Sequence, residues 1–177
     1  MDYRNLSSAL DQPFTHFWNY TVVYYMPPGN ASIRVIVSDK DGGLNETSTT
    51  LEILETVEII LEDEPIDFQE ARPGEEVNAT SGRGWPLKVF SRSNVPVNIS
   101  QNGTNLVGVV NPSSFIDVQR ILWGLEESGS FASLQEYMLK VIDDLQPATY
   151  VSIFYKLKVP TVEPQEYRGN VTIKGEG

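Results

Sequence analysis

The 177-residue chain has no cysteine and one histidine. The first absence excludes a disulfide scaffold, Cys-type zinc sites, haem attachment and thiol catalysis. The second leaves His16 without the partners that a general base or a zinc site recruits at fixed spacing. His16 stands among aromatic residues and reads as a packed or surface imidazole. Cations are scarce too: 13 Lys and Arg face 24 Asp and Glu, giving a formal net charge of −11. No basic stripe can neutralise phosphates, which argues against nucleic acid and against charge-driven binding to anionic membrane. The longest apolar-leaning run, 51–61, is broken by Glu52, Glu55 and Glu58, and no signal peptide or membrane span is visible. An exported chain of this sequence is expected to be a mature segment, with Met1 a start placed before it and any membrane anchor outside it.

The motifs of catalysis are missing as well. There is no Gly-x-Ser-x-Gly, phosphate loop or dinucleotide fingerprint. The carboxylate pairs Asp143-Asp144 and Glu126-Glu127 are adjacent in sequence and point different ways, whereas glycoside hydrolysis needs two carboxyls facing across a cleft. The expectation is a protein that is not an enzyme and needs no cofactor.

Asparagine in sequons is what the chain has in excess. Eight of the eleven Asn begin Asn-X-Ser/Thr: Asn5, Asn19, Asn30, Asn45, Asn78, Asn98, Asn102 and Asn170. Ser and Thr fill 26 of 177 positions, so random placement gives about 1.6 sequons, each Asn having a chance of roughly 15 %. The excess points to a chain that meets a glycosylation machinery and works outside the cell. At 40 % hydrophobic and 10 % aromatic residues the chain can build a core without disulfides. Sequons without cysteine fit prokaryotic surface proteins, archaeal ones especially.

Period-2 patterning predicts a mainly β protein. Strands are expected at 17–25, 32–38, 47–53, 87–91, 149–159 and 169–173. Turns are expected at Pro27-Pro28-Gly29-Asn30 and Asp39–Gly43. Val95, Val97 and Ile99 alternate with Pro96, Asn98 and Ser100, which predicts a core face opposite a sugar-bearing Asn98, ended by a turn at Asn102-Gly103. Glu62-Asp63-Glu64-Pro65 is the best boundary candidate, and Val57–Leu61 could belong to either side of it. The expected organisation is a loose tail 1–13, a β unit 14–61 and a second β unit 62–177.

Three other features carry expectations. Ser133-Leu134-Gln135-Glu136 has the form of a capping box, and Leu134, Tyr137, Met138, Val141, Ile142 and Leu145 make one helical stripe. A helix is therefore expected at about 134–145, stopped by Pro147. Residues 115–125 fit a helix or a strand. Asp39 and Asp41 are weak Ca²⁺ candidates; the EF-hand pattern fails because Leu44 stands where its glycine belongs. Trp18, Trp85 and Trp123 could serve a carbohydrate- or protein-binding module if an exposed coplanar pair exists.

The strand, Pro-Pro-Gly, strand, Asp-x-Asp-Gly-Gly, strand order of residues 20–53 resembles part of an immunoglobulin-like or PKD-like surface module. Over 66–174, Ile66-Asp67-Phe68 with Pro73-Gly74, then Ser93–Ile99, then Lys156–Pro160 with Tyr167–Ile173 resemble a β-sandwich domain of cell-surface proteins. Such domains occur in TasA/camelysin-type fibre subunits and in archaeal surface-layer and pilus proteins. The resemblance implies Ig-like β-sandwich units, the second with an inserted helix. It implies a glycosylated structural or adhesive role at a cell surface, through self-assembly or contact with other surface proteins. It also implies that one subunit can lend a strand to its neighbour, with the tail 1–13 as the candidate strand. It carries over no catalytic residue.

Overall fold

The computed structural model describes residues 21–38 and 41–177. The expected tail 1–13, His16, Trp18, Asp39, Asn5 and Asn19 lie outside the described residues. Among the described residues there are strands and one 3-10 turn, and no α-helix. A hairpin comes first, β1 (Gly29–Ser38) with β2 (Leu44–Ile53). Then come β3 (Ile59–Glu62), β4 (Glu76–Asn78), β5 (Thr80–Ser81), β6 (Gly84–Trp85) and β7 (Leu87–Ser91). The middle holds β8 (Val97–Gly103), β9 (Leu106–Gly108), β10 (Phe115–Ile116), the 3-10 turn Val118–Arg120 and β11 (Ile121–Gly124). The last five are β12 (Ala132–Ser133), β13 (Leu139–Leu145), β14 (Tyr150–Lys158), β15 (Tyr167–Arg168) and β16 (Val171–Glu176).

The largest sheet runs β12-β11-β14-β7-β3, with β4 also paired to β14. β14 is its hub. β11 lies along one edge, and β7 and β4 share the other at successive residues. Two smaller antiparallel sheets run β13-β8-β16 and β10-β9-β15. The alternation of the sequence explains how they pack. Leu87 and Val89 of β7, Ile153, Tyr155 and Leu157 of β14, and Val97 and Ile99 of β8 all enter one buried cluster. Each such side chain contributes about 1.5–3 kcal/mol by leaving water. The next inward position of β8 is polar: Gln101 is 1 % exposed. Its Oε1 accepts from the Tyr155 hydroxyl at 2.5 Å, which ties β8 to β14 through the core. Burial pushes the Tyr155 hydroxyl well above the ordinary phenol range.

Three expectations are corrected. The helix at 134–145 is absent: Leu139–Leu145 is a strand on β8. Two irregularities in its register explain the helical stripe. Between Lys140 and Ile142, and again between Ile142 and Leu145, β13 uses one residue more than β8 does. Such bulges turn an alternating pattern into one with spacings of three and four. Ser133 pairs with Leu122 across β12 and β11 and caps nothing. Next, Asn102-Gly103 is no turn, since β8 continues through Gly103, which pairs with Val171. The glycine answers to packing: a Cβ there would stand 2.4 Å from Leu134 Cδ2. Thirdly, Val22–Tyr25 is not strand; Met26 N–H donates to the Val23 carbonyl in a turn. β3 pairs with β7 from Ile59↔Ser91 to Glu62↔Lys88, so of the two sides left open for 57–61 the pairing joins 59–61 to the strands that follow. Residues 115–125 resolve into β10, the 3-10 turn and β11.

The connector between hairpin and body is held by two buried polar side chains. Ser93 Oγ accepts from Glu58 N–H and donates to the Glu58 carbonyl, both at 2.9 Å. Asn94, 6 % exposed, accepts from Thr56 N–H at 2.7 Å and donates to the Leu54 carbonyl at 2.8 Å. These side chains imitate a neighbouring strand, so a polar pair is buried at little cost.

Candidate glycosylation surfaces

The period-2 geometry of β8 decides where its two sequons point. Val97, Ile99, Gln101 and Gly103 are buried, while Asn98, Ser100 and Asn102 lie half-buried on the opposite face. The expected register of Val97, Ile99 and Asn98 is therefore the one observed, with Val95 half-buried before the strand begins. β8 is the central strand of its sheet, between β13 and β16. Asn98 Oδ1 accepts from Asp144 N–H at 3.3 Å, and Asn102 Nδ2 donates to the Glu136 carbonyl at 2.9 Å.

The fold brings two sequons into one antiparallel pair, which sequence spacing could not reveal. Asn102 is the cross-strand partner of Thr172, and Gly103 of Val171. One step further, Thr104 N–H donates to the Asn170 carbonyl and Asn170 N–H donates to Thr104 Oγ1, both at 2.9 Å. The Asn of each sequon thus sits beside the Thr of the other. Asn102 and Asn170 become diagonal neighbours, about 7–8 Å apart by sheet geometry. They border a shallow depression with Thr104, Glu136 and Arg168. Arg168 is held at the rim by Glu166 at 2.6 Å, an ion pair that raises its already high pKa.

The remaining described sequons occupy other surfaces. Asn78 is exposed on β4, opposite Lys156 of β14. Asn30 and Asn45 are exposed on β1 and β2. On one face of the hairpin, Ile33 and Val35 oppose Thr49 and Thr47, and Val37 opposes Asn45. Ile33, Val35, Val37 and Leu44 are all exposed, Leu44 to 73 %. Arg34 is ion-paired with Glu46, and the guanidinium holds the Glu46 carboxyl below its ordinary range.

A second exposed apolar surface was not legible in the sequence. Val107, Val109, Val110 and Phe115 lie in and around β9 and β10, with Val110 83 % exposed. Hydrogen bonds fix their loop. Gln165 Oε1 accepts from Val110 N–H at 3.0 Å and Asn111 N–H at 2.8 Å, and Val109 N–H donates to the Glu166 carbonyl at 2.9 Å. Trp85 and Trp123 are half-buried. Trp85 lies nearly parallel to Phe131, 7° between planes and 6.3 Å between centroids, with Phe154 edge-on at 5.0 Å. Lys156 Nζ stands 4.0 Å from the Phe131 ring. Trp123 lies in β11, its indole N–H buried without a protein partner. Among the described residues no three His, Asp or Glu side chains gather as metal ligands, and Asp41 is exposed. No helix of the described residues is long and apolar enough to cross a membrane.

Comparison with known proteins finds no family model that matches the chain, and no curated protein or solved structure that matches it.

Proposed function

We propose that the chain is a non-enzymatic, glycosylated structural component of a cell surface, in the manner of a surface-layer, pilus or fibre subunit or an adhesin. Its β units are Ig-like, and it acts by assembly with further copies or with other surface proteins. The excess of sequons motivates the glycoprotein part. The observation that carries the assembly part is the β1–β2 hairpin. Neither strand pairs with a third among the described residues, and its apolar side chains stand in water. An isolated two-stranded ribbon is marginal by itself, and an unpaired strand edge is a template for another chain. Ion pairing of Arg34 with Glu46 and the sequons Asn30 and Asn45 keep this ribbon soluble until it finds a partner.

The test is assembly of the purified full chain, followed by sedimentation velocity and electron microscopy. Ile33→Lys with Val35→Lys places charge on the apolar face of the hairpin and is expected to abolish higher-order species. The body should keep its thermal transition, because these side chains lie outside the buried cluster. Undiminished polymerisation of the double variant would remove the hairpin from the account. Deletion of residues 1–13 separates hairpin pairing from strand donation by the tail, since only the latter loses assembly on that deletion.

The nearly parallel Trp85–Phe131 pair favours a second reading, an extracellular carbohydrate- or protein-binding module. Strong acrylamide quenching of tryptophan fluorescence, relieved by added oligosaccharide, would support it. Quenching-resistant fluorescence would count against it.

A further inference from the structure

We propose that the sequons form two classes set by the fold: Asn102 accepts sugar only before β8 is enclosed, whereas Asn30 and Asn45 accept it on the folded chain. The inference rests on the glycoprotein reading and adds an order of events to it.

The chemistry defines what must be reachable. Transfer forms a bond from the Asn side-chain nitrogen to the anomeric carbon of a lipid-linked sugar phosphate. The anomeric C–O bond breaks, the lipid phosphate leaves with the electron pair, and the amide gives up one proton. The transferase must reach both the amide and the hydroxyl two residues on, which is why the sequon needs Ser or Thr there. At Asn102 both groups are engaged by other segments. Nδ2 donates to the Glu136 carbonyl, and Thr104 Oγ1 accepts from Asn170 N–H. The residue between them is sealed too, since Gly103 N–H donates to the Gln135 carbonyl at 2.8 Å and its α-carbon lies against Leu134. β8 has a strand on each side and cannot be drawn out without opening the sheet. Opening a core strand approaches the cost of global unfolding. Asn30 and Asn45 sit instead on strands that, among the described residues, pair only with each other, and both side chains are exposed.

The experiment uses the folded full chain, produced without sugar, and two peptides covering residues 28–50 and 95–106. Each is incubated with an oligosaccharyltransferase and its lipid-linked oligosaccharide, and occupancy is read by peptide mass spectrometry. Both peptides are expected to be modified. In the folded chain Asn30 and Asn45 should be modified, with Asn102 roughly a hundredfold or more slower than in its peptide. Equal rates at Asn102 in chain and peptide would overturn the proposal. So would a peptide 95–106 that the enzyme refuses, because sequence and not fold would then exclude the site. A folded chain refused at Asn30 and Asn45 overturns the other half. These failures differ from failure of the glycoprotein reading: Asn102 modified on the folded chain leaves that reading intact, whereas sugar-free protein from the native source removes it.

Discussion

Asn94→Ala tests whether buried polar side chains couple the hairpin to the body. Asn94 lies in no sequon, and its amide serves two backbone groups, Thr56 N–H at 2.7 Å and the Leu54 carbonyl at 2.8 Å. Its own backbone N–H donates to the Thr56 carbonyl at 3.1 Å and survives the substitution. Each lost hydrogen bond removes about 0.5–1.5 kcal/mol, and a buried group left without a partner costs about 1–3 kcal/mol. The connector is only part-buried, so water can recover some of this. The expected loss is therefore about 2–3 kcal/mol. For a chain of this size that lowers Tm by roughly 4–12 °C, at 2–4 °C per kcal/mol. Urea denaturation measures the total, and amide hydrogen exchange at Thr56 measures the local effect. Thr56 should lose protection while amides of β14 exchange at a rate set by global stability alone. Asn94→Asp keeps the acceptor for Thr56 N–H and loses the donor to Leu54, so its Thr56 protection should fall between wild type and Asn94→Ala. A loss under about 1 kcal/mol with unchanged Thr56 exchange would refute the clamp.

Other expectations concern the core behind the sequons. Gly103→Ala puts a methyl 2.4 Å from Leu134 Cδ2; it should cost about 1–3 kcal/mol in denaturant unfolding. A neutral result would return Gly103 to a purely conformational role. Tyr155→Phe removes the donor to Gln101 Oε1 and, because Gln101 Nε2 already lacks a partner, leaves the whole amide unpaired. The expected cost is about 1–3 kcal/mol, which Gln101→Leu in the same chain should partly restore. The pH dependence follows from the raised Tyr155 pKa. An exposed phenol ionises near the reference value of 10.0, and the folded one later. The stability that Tyr155 contributes is thus complete below that pH and is lost as pH rises above it. Tyrosinate absorbance should show an ionisation that appears only as the fold opens, and Tyr155→Phe should remove it.

The mainly β character and several strand positions were legible because alternation is a local signal. Leu87–Ser91 was expected at the limits observed, and Val97 and Ile99 were placed on the core face. The same local reading failed at β13. Val141 and the Asp143-Asp144 step are extra residues against β8, and Asp144 takes a φ of 51°. Bulges rearranged the apolar positions into a helical spacing, and no local rule separates the two. Gly103 was read as a turn residue because its reason, Leu134, lies far along the chain. The clamp made by Ser93 and Asn94 was not expected, since their partners at 54–58 lie about forty residues back. The sequon positions were visible in the sequence. That Asn102 and Asn170 interlock was not, since register between β8 and β16 is a tertiary property.

On the proposed function, the native chain carries sugar at a cell surface. Intact mass spectrometry of the protein from its native source tests it most directly. The 177 residues of this sequence account for 19.8 kDa, to which any further native sequence adds its own calculated mass. A glycosylated chain gives a ladder of heavier species separated by whole glycan masses, with modified peptides that include Asn30 or Asn45. A single native species at the mass of the bare polypeptide would contradict it.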